Sequence, residues 1–153
     1  MAKIKLNLKL KDAVSLIERN LKKASFDGLI IIIRESIRKG ISPVAQIGRF
    51  TKYSESYRAA IKDGYVEFKD KVSPVNLTQT GVMVDSLDQR SKGNNVELFY
   101  KDEKAIFHND KGAGKSKVIR RILPSNSGET FTTVILRKFV AICKKVVEDS
   151  KLK

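Results

Sequence analysis

Residues 96–108 read "VELFYKDEKAIFH" and carry the strongest β signal in the chain. Val96–Tyr100 is rich in aliphatic and aromatic residues and follows the turn-forming pair Asn94-Asn95. The polar triplet Lys101–Glu103 then predicts a turn, and Lys104–His108, "KAIFH", predicts the returning arm of a hairpin. Downstream, Lys117–Leu123, "KVIRRIL", has β-compatible composition and stops at Pro124, which predicts a third strand. Upstream, Ile4, Leu6, Leu8 and Leu10 alternate with Lys3, Lys5, Asn7 and Lys9. That period of two reads residues 1–10 as a strand or arm with one aliphatic and one lysine face.

Outside these strands the period changes to that of a helix. Ala13, Val14, Ile17, Leu21 and Ala24 form one helical run, and Leu29, Ile30, Ile33 and Ile37 form a second, with Asp27-Gly28 between them. The two runs read as one long helix interrupted near Gly28 and stopped by Gly40, with Pro43 just beyond. Arg49–Lys62 predicts a short helix with Tyr53 and Tyr57 on one side, ended by Asp63-Gly64, and the tyrosine pair reads as packing. Ser73–Leu77 reads as extended, because the residue before a proline is pushed out of the helical region. A helical turn is expected around Val82–Leu87. After a loop from Pro124 to Gly128, Glu129 opens a final amphipathic helix with Phe131, Val134, Ile135, Phe139, Ile142 and Val146 at intervals of three and four. Lys144, Lys145, Lys151 and Lys153 gather at its C-terminal end, where positive charge suits the helix dipole. The expected fold is α+β: one domain over residues 1–153, with a small, mainly antiparallel sheet, a long N-terminal helical segment and a C-terminal amphipathic helix packed on it.

The charge is lopsided. Thirty-one Lys and Arg against 17 Asp and Glu leave a formal charge of +14 on 153 residues. A surplus of that size calls for counterions or a polyanionic partner, with nucleic acid foremost. Cys143, the single cysteine, has no partner for an internal disulfide and reads as a small buried hydrophobe. The apolar run Leu29–Ile33 falls far short of the ~20 residues that cross a bilayer. The first residues alternate charge with apolar side chains and do not read as a secretory signal, which places the chain in the cytoplasm or in an assembly built there.

Residues 108–118, "HNDKGAGKSKV", contain GAGKS, the ending of a phosphate-binding loop. Such a loop needs glycine four residues before its second glycine's predecessor, so that successive amides turn onto one phosphate; counting back from Gly114-Lys115-Ser116, that position holds Asn109. A helix of about three turns should also start at the lysine, yet Pro124 stands eight residues after Ser116. The expectation is a flexible, basic inter-strand loop. Lys111, Lys115, Lys117, Arg120 and Arg121 place five positive charges in eleven positions and are the candidate contacts for DNA or an acidic partner surface. The one histidine, His108, has no motif-spaced metal-ligand companion, and no nucleophile–base or paired-carboxylate pattern stands out, so neither catalysis nor a cofactor is expected.

From Ser42 to the last helix, the order of features resembles that of bacteriophage tail-completion proteins, also called virion morphogenesis or neck proteins. The likeness rests on "PVNLTQTGVMVDSL" (Pro74–Leu87), a hairpin closing on "AIFHNDKGAG" (Ala105–Gly114), "RRILP" (Arg120–Pro124) and the amphipathic helix. Thr80-Gly81, Ala105, His108 and Pro124 stand where that family has its threonine-glycine segment, its post-hairpin loop and its basic-proline approach to the last helix. The resemblance implies a non-enzymatic virion protein. It would form a ring, commonly of six copies, between the head connector on the portal side and the tail-tube proteins, with genomic double-stranded DNA passing through. In that setting the five cations would meet DNA phosphates or the connector without reading bases, and the lysine face of residues 3–9 would meet a neighbouring subunit. The alternative is a stand-alone basic nucleic-acid-binding module.

Overall fold

The computed structural model describes residues 4–6, 19–67, 69, 72–77, 81–92 and 95–150. The expected strand residues 7–10, the helical positions Ala13, Val14 and Ile17, Thr80, and Lys151 and Lys153 lie outside the described residues. The elements in chain order are β1 (Ile4–Leu6), α1 (Arg19–Arg38), α2 (Glu55–Lys62), α3 (Val82–Asp85), β2 (Leu87–Lys92), β3 (Asn95–Tyr100), α4 (Lys104–Ile106), a π-helical turn (Phe107–Lys111) and α5 (Thr133–Ser150). The protein is α+β, as its periodicities predict.

The described sheet has the order β1-β3-β2 and is antiparallel throughout. Ile4 pairs with Leu98 and Leu6 with Val96 of the same chain. Leu87 pairs with Tyr100 and Lys92 with Asn95. Val96, Leu98 and Tyr100 turn into the core. Between them Glu97 is also buried, held at 2.7 Å by Nε of Arg90, its register partner on β2.

The hairpin therefore pairs β3 with the segment before it, not the one after it. Lys104–His108 is helical: the Asp102 carboxylate accepts from the Lys104 amide (2.8 Å), and the Ala105 and Ile106 amides donate to the carbonyls of Asp102 and Glu103. A helical turn puts Ala105 and Asn109 on one buried face and leaves Phe107 exposed, whereas a strand would set all three on the same face. Lys117–Leu123 is likewise no strand. Only Val118 forms a bridge, with Ala113, while the Ile122 and Leu123 amides both donate to Asn109 Oδ1, each at 2.9 Å. One side-chain oxygen replaces a neighbouring strand.

Helix α1 runs unbroken through Gly28, so the expected interruption is absent. A Cβ at Gly28 would lie 2.9 Å from both Cδ1 and Cγ2 of Ile142 on α5, so the glycine leaves room for that side chain. Phe26 and Phe139 meet nearby with ring centroids 5.2 Å apart. Glycine costs an isolated helix about 1 kcal/mol, and close packing offsets it here. The helix ends at Gly40 (φ 74°), where the Gly40 and Ile41 amides donate to Ile37 and Ser36 carbonyls in a Schellman arrangement.

Helix α1 packs on both α5 and β2. Leu29, Ile33 and Ile37 are fully buried, and Arg34 Nη2 donates to the carbonyls of Asp85 (2.6 Å) and Leu87 (2.8 Å), tying α1 to α3 and β2. Arg38 adds an ion pair with Asp85. Two helices start later than their periodicity suggests. α2 begins at Glu55, capped by Ser54 Oγ, which leaves Arg49–Ser54 irregular. α5 begins at Thr133 because Phe131 bridges to Val44 and Thr132 Oγ1 accepts from the Ile135 amide. Among the described residues no helix is long and apolar enough to cross a membrane.

Candidate functional site

The π-helical turn ends at Gly112, whose φ of 81° suits only glycine; a Cβ there would lie 2.2 Å from the Lys117 carbonyl oxygen. Beyond it the Ala113 amide donates to Val118 O (2.9 Å) and the Val118 amide donates back to Ala113 O (3.1 Å). The Lys117 amide closes a tight turn on Gly114 O (3.2 Å). GAGKS is thus the tip of a closed loop. No helix starts at Lys115, so the arrangement that gathers amides around a phosphate at a helix N-terminus is missing.

The loop carries Lys111, Lys115 and Lys117 together, all exposed and none paired with a carboxylate among the described residues. Lys111 Nζ lies 5.6 Å from the Phe107 ring centroid. Arg120 and Arg121 have other positions. Arg120 is only 6% exposed: Nε donates to Thr51 O (3.1 Å), Nη2 to Lys52 O (3.3 Å), and its guanidinium sits 5.5 Å from the Tyr53 ring centroid. Arg121 Nη1 donates to Asn109 O (2.6 Å), Asp110 Oδ1 (2.7 Å) and Ser125 Oγ (3.0 Å), and its Nε lies 3.3 Å from Glu129 Oε1. The structure therefore groups three of the five candidate cations on a loop and uses the other two to hold chain segments together. Composition gives no hint of that division, since adjacent arginines read alike.

Under the loop lies a cleft of about 760 Å³. Among the described residues its cations are Lys69, Lys104, Lys115 and Arg120 and its one carboxylate is Asp102, already engaged by the Lys104 amide. Tyr53 and Tyr57 meet edge to face with centroids 5.1 Å apart. They pack, as their spacing predicts, and they also line the cleft. Lys69 Nζ lies 5.1 Å from the Tyr53 centroid and donates to Asn76 Oδ1 (2.8 Å). Leu77, Met83, Ala113 and Val118 supply apolar wall, and Ser54, Ser56 and Ser116 supply hydroxyls. Burial raises the Tyr53 phenol above its ordinary range, against the opposing pull of the Leu77 and Asn76 backbone and the Arg120 charge.

His108 also lines this cleft, from the π-helical turn and not from a strand end. Burial, helped by the Arg120 charge, holds its imidazole down to about 4, so it is neutral at neutral pH. Its Nδ1 is buried with no hydrogen-bond partner among the described residues. Lys69 and Lys104 escaped the sequence reading because no local pattern links them to Lys115. Among the described residues no group of three or more His, Cys, Asp and Glu side chains is placed to hold a metal ion.

Compared with protein-family models, with curated proteins and with solved structures, the chain matches none.

Proposed function

We propose that this chain is a structural subunit of a bacteriophage neck: a tail-completion ring component that joins the head connector to the tail and lines the passage for double-stranded DNA. The observation that carries the reading is the loop bearing Lys111, Lys115 and Lys117, held in shape by the Ala113–Val118 bridge and left without carboxylate partners among the described residues. Such lysines attract phosphates without reading bases, which suits DNA that must slide. Base-specific hydrogen bonds would pin the genome. The likeness of "PVNLTQTGVMVDSL", "RRILP" and the last amphipathic helix supports the same role, as does the surplus of +14. On this reading the chain makes and breaks no bonds, works in the virion as a homo-oligomeric ring commonly of six copies, and needs no cofactor.

Electron microscopy of particles assembled without the chain tests the proposal. Filled heads and complete tails that fail to join are expected, with ring-sized oligomers of the purified chain by light scattering. Normal infectious particles would overturn it. If the chain instead stays a small particle that binds duplex or single strands in solution, it is a stand-alone nucleic-acid module.

A further inference from the structure

We infer that the cleft beneath the GAGKS loop docks an acidic peptide segment of a partner protein, its carboxylates meeting Lys104 and Lys115 and an adjacent apolar side chain lying against Leu77, Met83 and Val118. The inference concerns the occupant of this cleft alone and is independent of the neck reading, since particle joining is not its readout.

Charge complementarity is the first ground. Among the described residues four cations line the cleft against one carboxylate, Asp102, which is partly satisfied by the Lys104 amide. Lys104 and Lys115 pair with no carboxylate among the described residues. A cationic concavity in low-dielectric surroundings concentrates anions more strongly than a convex surface does.

Shape and lining narrow the anion. At about 760 Å³ the cleft falls in the range of ordinary ligand sites, roughly 300–1,000 Å³. A duplex is too broad to enter a cleft of this volume and could touch only its rim. Single-stranded nucleic acid binds by stacking bases on open aromatic faces. Here the Tyr53 ring already carries Lys69 at 5.1 Å and Arg120 at 5.5 Å, with Tyr57 set against it edge to face. A bare phosphate gains nothing from Leu77, Met83 and Val118. A segment that alternates acidic and aliphatic side chains satisfies both parts of the lining at once.

The test is fluorescence anisotropy on the full chain with a fluorescein-labelled decapeptide of alternating glutamate and leucine. Three labelled controls accompany it: the same peptide with glutamine for glutamate, decaglutamate, and a ten-residue oligothymidylate. The Glu-Leu peptide is expected to bind best. Its affinity should fall at least about tenfold in Lys104→Glu/Lys115→Glu. Both lysines are exposed, and a thermal melt checks that the variant folds. Lys144→Glu/Lys145→Glu on α5 changes the net charge equally at a distance from the cleft and should change affinity little. Three results overturn the inference: equal losses in the two double variants, which mean general charge attraction; tighter binding of decaglutamate than of the mixed peptide; or preference for the oligothymidylate with loss in Lys104→Glu/Lys115→Glu, which makes the cleft a nucleic-acid site.

Discussion

Replacing Asn109 with alanine should be among the most damaging single changes in this fold. Asn109 is 1% exposed, and its Oδ1 is the acceptor for the Ile122 and Leu123 amides, both at 2.9 Å. Ile122 and Leu123 are themselves fully buried, so neither amide has water in reach once that oxygen is gone. Each buried donor left unsatisfied costs about 1–3 kcal/mol, so the pair is worth roughly 2–6 kcal/mol before any cavity is counted. A domain of this size has only about 5–15 kcal/mol to lose. Urea unfolding followed by far-ultraviolet circular dichroism measures the loss; with a slope near 2 kcal/mol per molar, the midpoint should drop by about 1–3 M. Amide exchange locates it, because Ile122 and Leu123 should lose protection well ahead of the β3 amides. A midpoint within about 0.3 M of the parent, with both amides still protected, would show that the segment is held by something other than Asn109.

Four further outcomes are expected. Gly28→Ala, which normally stabilises a helix by about 1 kcal/mol, should destabilise this one, because its Cβ meets Ile142 at 2.9 Å; adding Ile142→Val should restore part of the loss in thermal melts. Gly112→Ala should cost well over the ~1 kcal/mol of a left-handed residue, since its Cβ would overlap the Lys117 carbonyl, whereas Gly114→Ala, with open space around it, should cost only about that amount by urea unfolding. The only histidine should titrate near 4 by NMR; because its folded value lies below the ordinary 6.5, the unfolded chain binds more protons between the two, so stability is full above 6.5 and falls as pH drops toward 4, and His108→Gln should flatten that slope between pH 6.5 and 5. Lys111→Gln/Lys115→Gln/Lys117→Gln should lower the slope of log affinity for duplex DNA against log salt by up to about 2.7, equally for unrelated sequences, and an unchanged slope would remove the loop from the DNA contact.

Much of the architecture was legible from the chain alone. β3 announces itself through Val96, Leu98 and Tyr100, and α1 and α5 through apolar spacing. β2 does not: "LDQRSK" is polar at five of its six positions, and it becomes a strand because β3 has an edge to satisfy and α1 fastens Leu87 and Gln89. The same tertiary pressure turns "KAIFH" helical, since Asn109 must arrive beneath Ile122. Local composition favours a returning strand there, and a single long-range acceptor outweighs it. The site was half legible. The lysine cluster from 111 to 117 follows from counting charges, but the separate duties of Arg120 and Arg121 depend on which carbonyls and carboxylates the fold brings near. Lys69, Lys104 and Lys115 become neighbours in one cleft only after the chain has folded.

In the GAGKS loop, form and electrical character are written in different residues. Gly112, Gly114 and the paired amides of Ala113 and Val118 set the outline, whereas the three lysine side chains lean on no carboxylate among the described residues. Substitution can therefore retune the sign and strength of the loop's field without recasting its backbone. An evolving lineage, or an engineer, can fit the same scaffold to a new partner by editing three codons.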